Sequence, residues 1–192
     1  VCRDSDGVPD VLRGEETQVW GAGLPAGAVA VLPGTHSKWL WCGADDSITG
    51  FQTWMTGELF ALLSRHSILG RLMEPGPHDA GAFADGVAQG LAEPARLTHR
   101  LFGVRSGVLT GRRPGTAASD LLSGLLIGAE IAGACRQGAP ATVTLIGDDD
   151  LVRRYTAALA QAGIDARPAR PDATPQGQWA VARAAGLVQE SA

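Results

Sequence analysis

This sequence is poor in cysteine, and the scarcity limits what kind of protein it encodes. Its three cysteines, Cys2, Cys42 and Cys135, are odd in number, far apart and in no Cys-x-x-Cys spacing among 192 residues. That pattern is typical of reduced thiols in the cytoplasm and argues against a disulfide framework or a zinc scaffold. No uninterrupted apolar run reaches membrane-spanning length, so we expect no membrane partner.

Basic residues are also few. The formal net charge is −4, no basic stripe interrupts the chain, and Lys38 is its only lysine. Proteins that bind nucleic acid or anionic membranes through charge need the opposite balance, so we expect no nucleic-acid partner. Any phosphate must be held locally.

The first third of the chain reads as an opening segment followed by strands. Residues 1–23 are polar, and Val1–Gly7 show no helix or strand pattern. Apolar β-rich runs from Ala28 to Trp54 predict three strands with a turn at Gly43–Asp46. Thr56 then caps a predicted helix that ends at His66.

The remainder alternates helices and strands. Glycine and proline punctuate residues 70–115, where Ala82–Val87 and Leu97–Phe102 are predicted to be helical. The apolar segment Asp120–Ala134 predicts a buried helix, and its glycines allow another backbone to approach closely. The last part predicts, in order, a strand at Thr142–Gly147, a helix at Leu151–Ala162, a short strand at Gly163–Ala166 and a helix at Gln178–Val188. This βαβ order predicts an α/β fold whose ligand edge lies near Gly147.

The segment Leu32–Trp39 is the first candidate for a binding site. It contains Gly34, Thr35, His36 and Ser37 at the tip of a predicted hairpin. Successive backbone N–H groups in such a turn form an anion-binding concavity, to which hydroxyl groups add donors. For an isolated Gly-Thr-x-Ser, an ordinary polar hairpin turn is the better explanation.

Four motifs in order make the sequence resemble one family. They are Asp10–Gln18 (DVLRGEETQ), Leu32–Trp39 (LPGTHSKW), Met55–Phe60 (MTGELF) and Leu122–Glu130 (LSGLLIGAE). Together they resemble 2-dehydro-3-deoxygalactonokinase over almost the whole chain. The resemblance implies one lobe of an actin-like, ribonuclease H-like ATPase fold. In that fold, residues 1–23 lead in from another lobe, residues 24–192 form the second lobe, and a helical insertion covers about 70–118.

The resemblance also implies an activity. Members phosphorylate the 6-hydroxyl of 2-dehydro-3-deoxy-D-galactonate with ATP and Mg²⁺, a step in galactonate breakdown. Kinases of this fold open their first lobe with an Asp-Gly-Gly-Thr-Thr-type phosphate loop, and no such loop occurs here. We therefore expect the first lobe to be missing, and weak nucleotide binding and no catalysis from this chain alone.

Phosphoryl transfer needs a carboxylate that orients the attacking hydroxyl, and the resemblance implies that Glu15 has this role. Glu16 is the second choice. Acids in the first turn of a helix, where they favour its dipole, are the alternative explanation of the pair.

Five more residues are candidates for the substrate. Arg13 suits a sugar-acid carboxylate, or an ion pair with Glu16. Lys38 could offer a point charge, although a lysine at the start of a strand is usually solvated. The other three are Thr56, Gly57 and Glu58 at a helix N-terminus, which either bind an anion or cap the helix.

The resemblance implies that Gly147 contacts the nucleotide. Asp148, Asp149 and Asp150 follow it and would repel phosphates unless they cap the next helix. We expect no metal site in the protein, and we interpret His66, His78 and His99 as structural or exposed.

Two other functions stay open. One is a non-catalytic lobe, or a truncated gene product, that binds a nucleotide or sugar acid. The other is a hydrolase using Ser37 or Cys42 with His36 or His66, which lacks a Gly-x-Ser-x-Gly elbow.

Overall fold

The computed structural model describes residues 2–3 and 7–188, with side chains from residue 7 onward. The prediction of an irregular start therefore lies outside the described residues at Val1 and at 4–6, as does the thiol of Cys2. Where the start is described, the prediction is wrong. Cys2–Arg3 (β1) pairs antiparallel with Pro9–Asp10 (β2).

The centre of the molecule is a mixed five-stranded sheet. Its strands are Val29–Leu32 (β3), Ser37–Cys42 (β4), Ile48–Trp54 (β5), Thr142–Leu145 (β6) and Asp165–Pro168 (β7), in the spatial order β5-β4-β3-β6-β7. The first three form the predicted antiparallel meander, whereas β6 lies parallel to β3 and β7 parallel to β6. The expected α/β fold is confirmed at this level.

Seven helices accompany the sheet in the described residues. They are Glu15–Ala22 (α1), Thr56–His66 (α2), Ala80–Ala92 (α3), Leu97–Leu109 (α4), Gly115–Ala134 (α5), Asp149–Gln161 (α6) and Ala173–Ala184 (α7). The predicted bounds of α2 are confirmed, and both predicted segments of the 70–115 region lie inside longer helices. Cys42 and Cys135 are free thiols, as expected.

Neighbouring residues of β4 face opposite sides of the sheet because side chains alternate along a strand. Trp39 packs into a core built with α3, α5 and α6. Leu40 packs into a second core with Val19 of α1. β4 is therefore covered on both faces, and its polar residues are buried too: Ser37 is fully buried and Lys38 is 4% exposed.

The last helix was predicted too late in the chain. It begins at Ala173, five residues before the predicted Gln178, and ends at Ala184. Pro175 made this stretch look like a loop. It occupies the first turn of α7, where backbone N–H groups have no partner within the helix and proline is tolerated.

One helix of the described residues, α5, has the length and hydropathy of a membrane-spanning segment. Of its apolar window, 78% is buried inside the protein. It is the central core helix, as its sequence predicted, although its apolar character extends further than the absence of long apolar runs suggested.

Glycines set how closely α3 and α5 approach each other. A Cβ at Gly124 would lie 2.1 Å from the carbonyl oxygen of Phe83, and one at Gly128 would lie 2.4 Å from that of Val87. Gly86 and Gly90 of α3 are equally close to the backbone of α5. No side chain can be added at these positions without separating the helices.

Gly124→Ala should therefore destabilise the fold by roughly 1–3 kcal/mol, the usual cost of overpacking a core. Gly103→Ala is the matched control, because a Cβ at this helical glycine of α4 meets no atom within 4 Å. It should be stabilising by about 0.4–1 kcal/mol. Urea denaturation measures both, and equal effects of the two substitutions would contradict the packing argument.

Candidate functional site

The predicted turn lies where two parallel strands end. Gly34, Thr35 and His36 connect β3 to β4, with Thr35 and His36 exposed. Gly147 follows β6 at the same edge of the sheet, and a Cβ there would be 3.4 Å from the carbonyl oxygen of Pro33. The fold thus places the turn and Gly147 side by side.

The N-terminus of α2 holds the turn in place. The Glu58 N–H donates to the carbonyl of Thr35 at 2.9 Å, and its carboxylate lies 2.5 Å from His36 Nε2. A Cβ at Gly57 would lie 2.3 Å from the carbonyl oxygen of Gly34, so only glycine permits this contact. α2 and the turn are one packed unit.

The turn keeps its backbone donors open. Within the described part of the chain, no hydrogen bond uses the N–H groups of Gly34, Thr35 or His36. Ser37 differs from the expectation for its hydroxyl: the side chain is buried and donates inward to Glu130. The donors available to an anion are therefore backbone N–H groups and the Thr35 hydroxyl.

Glu130 is the last residue of the fourth sequence motif, Leu122–Glu130, and the sequence alone predicted no function for it. Its Oε1 accepts from Ser37 Oγ at 2.7 Å and Trp39 Nε1 at 2.9 Å. Its Oε2 accepts from Tyr155 at 2.7 Å and from Thr56 Oγ1. The carboxylate is 2% exposed, and these four donors occupy its lone-pair positions. An acid within the apolar segment Asp120–Ala134 was the signal available in the sequence, because buried charges are almost always paired.

Burial governs the ionisation of this cluster. Desolvation raises the pKa of Glu130, and the four donors oppose it only in part. Desolvation and the neighbouring Glu130 carboxylate raise the pKa of Tyr155 well above its ordinary value. The tyrosine therefore stays a donor at neutral pH.

The candidate base lies on the other face of β4. Gly14 has φ +116°, which glycine tolerates, and it precedes the first turn of α1 that contains Glu15 and Glu16. Glu15 Oε2 accepts the N–H of Arg13 at 2.7 Å, and Glu16 accepts that of Gly14 at 2.9 Å. Both acids thus cap a helix start, while Glu15 Oε1 also lies 3.3 Å from Lys38 Nζ.

Glu15 is held in its charged form. Partial burial raises its pKa, but the N–H groups of Arg13 and of Glu15 itself, together with Lys38, outweigh that effect and leave the pKa below the ordinary glutamate value. Lys38 is not solvated as its position suggested, with 5% of its side chain exposed. Arg13 is exposed and makes no ion pair with Glu16 in the described residues.

The acidic triplet after Gly147 caps a helix. Asp148 accepts the N–H of Asp150 at 2.9 Å, and Asp150 pairs with Arg153 on the surface. This is the capping alternative that the sequence left open. No group of three or more His, Cys, Asp or Glu in the described residues could hold a metal ion.

A second polar cluster brings together residues distant in sequence. Asp120 accepts from Arg154 at 2.7 Å and from the Asp79 N–H at 2.7 Å, and His78 Nδ1 lies 2.9 Å away. Burial raises the pKa of Asp120, but these partners hold it below its usual value. The His78 side chain is half-exposed. Its partner Asp120 lies 42 residues away in the sequence, so sequence spacing did not reveal this contact.

Arg154 links that cluster to a cavity beside the turn. The cavity, of about 150 Å³, lies between the turn, α2, α5 and α6 and is bordered by Gly34, Gly57 and Arg154. It is smaller than a typical ligand pocket. A larger cavity of about 630 Å³ lies between α3, α4 and α5 and is lined by none of the predicted site residues.

The hydrolase alternative does not match this geometry. The Ser37 hydroxyl is buried against Glu130 and Tyr155, whereas His36 is turned toward Glu58 on the surface. Burial raises the pKa of the Cys42 thiol, which disfavours the nucleophilic thiolate.

Comparison with known proteins identifies the family of this chain. The model of the 2-keto-3-deoxy-galactonokinase family matches residues 1–181. The chain belongs to this family. It is 46% identical over 187 residues to a Rhizobium meliloti (strain 1021) protein named "Probable 2-dehydro-3-deoxygalactonokinase DgoK1", a match that covers 92% of this chain and 60% of that protein. It is 41% identical over 170 residues to the 2-dehydro-3-deoxygalactonokinase of Escherichia coli (strain K12), covering 86% and 56%.

A solved structure agrees with the family membership. The crystal structure of a candidate 2-dehydro-3-deoxygalactonokinase from Sinorhizobium meliloti superposes with a TM-score of 0.86 at 41% identity, covering 94% of this chain and 62% of that one. The chain thus spans about 60% of the length of the family members that it matches.

The Glu130 network makes a prediction about stability. Glu130→Gln keeps acceptors for Trp39 and Ser37 and offers an amide to hydroxyls that can rotate, so we expect a change within about 1 kcal/mol at neutral pH. Glu130→Leu leaves buried donors without an acceptor and should cost roughly 3 kcal/mol or more. Denaturant unfolding measures both.

The pH dependence of stability separates the effect of the Glu130 charge from the effect of the side-chain shape. A raised pKa in the folded state means that the native glutamate contributes most stability below its ordinary pKa of 4.5 and loses that contribution as pH rises. Glu130→Gln should lack this decline. Parallel stability curves for the two proteins would contradict the direction of the shift.

Proposed function

We propose that this chain is the part of a 2-dehydro-3-deoxygalactonokinase that binds the phosphates of ATP and supplies the carboxylate facing the acceptor. The reaction is transfer of the terminal phosphoryl group to the 6-hydroxyl of 2-dehydro-3-deoxy-D-galactonate, in cytoplasmic galactonate breakdown. Family membership and the names of the relatives support this substrate. The observation that carries the proposal is the turn at Gly34–His36, whose backbone N–H groups are open.

The turn suits a phosphate chain for physical reasons. Backbone N–H groups donate without a side chain between ligand and protein, and the Thr56 and Gly57 N–H groups at the start of α2 add the positive end of a helix. Gly147 lies at the same edge and lets a nucleoside approach the strand end. This arrangement is the reason to assign an actin-like, ribonuclease H-like lobe rather than another α/β fold.

Mg²⁺ is proposed as a companion of the nucleotide, because kinases that transfer the terminal phosphoryl group of ATP use it to bridge the phosphates. Such a metal keeps several waters and binds mainly through substrate phosphates, whose charge it neutralises.

Glu15 is the acid that acts on the acceptor, with Glu16 as the second candidate. Both oxygens of Glu15 have a protein donor, and the side chain is 26% exposed, which leaves room for a substrate hydroxyl. A fixed, charged carboxylate orients that hydroxyl toward the phosphoryl group and accepts its proton as the new bond forms.

The sugar acid is proposed to contact residues around this acid. Arg13 is exposed beside Glu15 and matches a carboxylate with two parallel N–H donors. The α2 residues Thr56, Gly57 and Glu58 complete the proposed set, whereas the Lys38 side chain is only 5% exposed and is not placed in it. The Thr56 hydroxyl is engaged by Glu130, so its part is limited to the backbone.

We propose that another lobe of the kinase, the first lobe, closes the site over the nucleotide. The cavity beside the turn is too small to enclose a nucleotide, and the relatives are longer than this chain. We therefore propose a first lobe as partner, with residues 1–23 leading from it and residues 24–192 forming the second lobe, the 70–118 insertion included. The alternative is a lobe that binds nucleotide or sugar acid without catalysis.

A coupled ADP-release assay with 2-dehydro-3-deoxy-D-galactonate separates these functions. We expect turnover when this chain is joined to a first lobe taken from a longer relative, and little from the chain alone. Nucleotide binding without turnover in the joined enzyme would favour the non-catalytic alternative.

In the active joined enzyme, Glu15→Gln should lower kcat by about 10²-fold or more and leave ATP affinity nearly unchanged. The exposed Glu74 offers the control: Glu74→Gln removes an acid outside the site and should have little effect. An equal loss of ATP binding in the Glu15 variant would contradict its assigned role.

A further inference from the structure

Lys38 is the one charged side chain buried in the middle of the sheet in the described residues. It sits on β4, the strand next to the edge strand β5, between Leu32 of β3 and Thr53 of β5. Its side chain is 5% exposed, too little for a substrate to reach its ammonium group directly. Burying a charge is costly unless it is paired, so the contacts of this ammonium explain its presence.

Those contacts join two parts of the site. Lys38 Nζ lies 3.3 Å from Glu15 Oε1 and donates at 3.3 Å to the carbonyl oxygen of His36. Glu15 begins α1, whereas His36 belongs to the anion-binding turn. One ammonium group therefore connects the helix that bears the candidate base to the loop that bears the open N–H groups.

We propose that Lys38 is a positioning residue that fixes the Glu15 carboxylate relative to the turn, rather than a ligand of the sugar acid. This inference rests on the proposed function for its catalytic meaning, although the contact itself does not. The Arg13 N–H holds one oxygen of Glu15, and Lys38 holds the other, so the plane of the carboxylate is set by two independent elements. With the Arg13 N–H contact alone, the Glu15 carboxylate would remain free to rotate about that one hydrogen bond.

The geometry agrees with the electrostatics of the pair. The charge of Lys38 and its hydrogen bond both favour the ionised form of Glu15 and help to keep its pKa low. Glu16, the other acid near this point, is turned to the Gly14 N–H and offers a natural control.

The first test needs no catalysis and uses the chain itself. Because Lys38 is the only lysine, its 15Nζ resonance is unique in the spectrum. Glu15→Gln should shift that resonance and speed the exchange of its ammonium protons, while Glu16→Gln should leave it in place. A Lys38 15Nζ resonance that does not change in Glu15→Gln, or that changes equally in both variants, would overturn the proposal.

The reciprocal variant tests the same contact from the carboxylate. Lys38→Met keeps the apolar stem and removes the charge, so the Glu15 pKa measured by 13C NMR should rise. Arg65→Met removes an exposed positive charge from α2 and should leave that pKa unchanged. A folded Lys38→Met protein with an unaltered Glu15 pKa would also overturn the proposal; if that variant fails to fold, the Glu15→Gln and Glu16→Gln comparison decides alone.

A double-mutant cycle in the joined enzyme then tests the catalytic meaning. Lys38→Met should lower kcat by about 10-fold, leave KM for the sugar acid nearly unchanged, and add little in the Glu15→Gln background. Additive effects with a raised KM would show that Lys38 acts on the substrate directly and overturn the positioning role. If the joined enzyme has no kinase activity while the two NMR tests succeed, the proposed function fails and the Lys38–Glu15 link stands.

Discussion

The site depends on one buried carboxylate. Glu130, from the central helix α5, collects side-chain donors from β4, α2 and α6. An unpaired acid there would be strongly destabilising, so the four donors and the acid require one another. Because Thr56 starts α2 and Ser37 ends the turn, satisfying Glu130 also fixes the distance between the two segments that carry the open N–H groups.

Adjacent residues of β4 extend this constraint to the other face of the sheet. Ser37 points toward Glu130 and Lys38 toward Glu15, as strand alternation demands. Each of the two polar side chains ends on a carboxylate. The turn that precedes them is therefore anchored from both faces by side chains, which explains how its backbone N–H groups can remain without protein acceptors in an ordered loop. If hydrogen bonds within its own backbone held the turn, its N–H groups would already have acceptors.

Local patterns in the sequence were sufficient for most elements but not for the clusters. The meander and the buried α5 follow from alternation and from a long apolar helix with glycines, because each signal lies within a few residues. The bounds of α2 were predicted as well, but Thr56 does not cap this helix, because its hydroxyl donates to Glu130. Helix α1 is short and has no clear apolar stripe. It is stable because Gly21 and Gly177 let it pack against α7, a contact between segments about 155 residues apart. The Asp120–Arg154–His78 cluster and the Glu130 network are long-range in the same way, and no spacing rule announces them. Only the placement of Asp120 and Glu130 in an otherwise apolar helix marked these two acids in advance.

The two carboxylates on either side of β4 differ in a way that suits different tasks. Glu130 is only 2% exposed, burial raises its pKa, and four protein donors surround its carboxylate, so it can hold structure but is out of reach of a ligand. Glu15 is partly exposed, and N–H groups and an ammonium lower its pKa. A general base for proton abstraction near neutrality would have its pKa raised instead. Phosphoryl transfer through a loose transition state asks for less: the nucleophile must be aligned, and its proton leaves as the bond forms. Under the proposed function, a charged and rigidly held Glu15 therefore acts first by aligning the hydroxyl and accepts its proton only as the new bond forms. The features that weaken it as a base are the same ones that fix its direction.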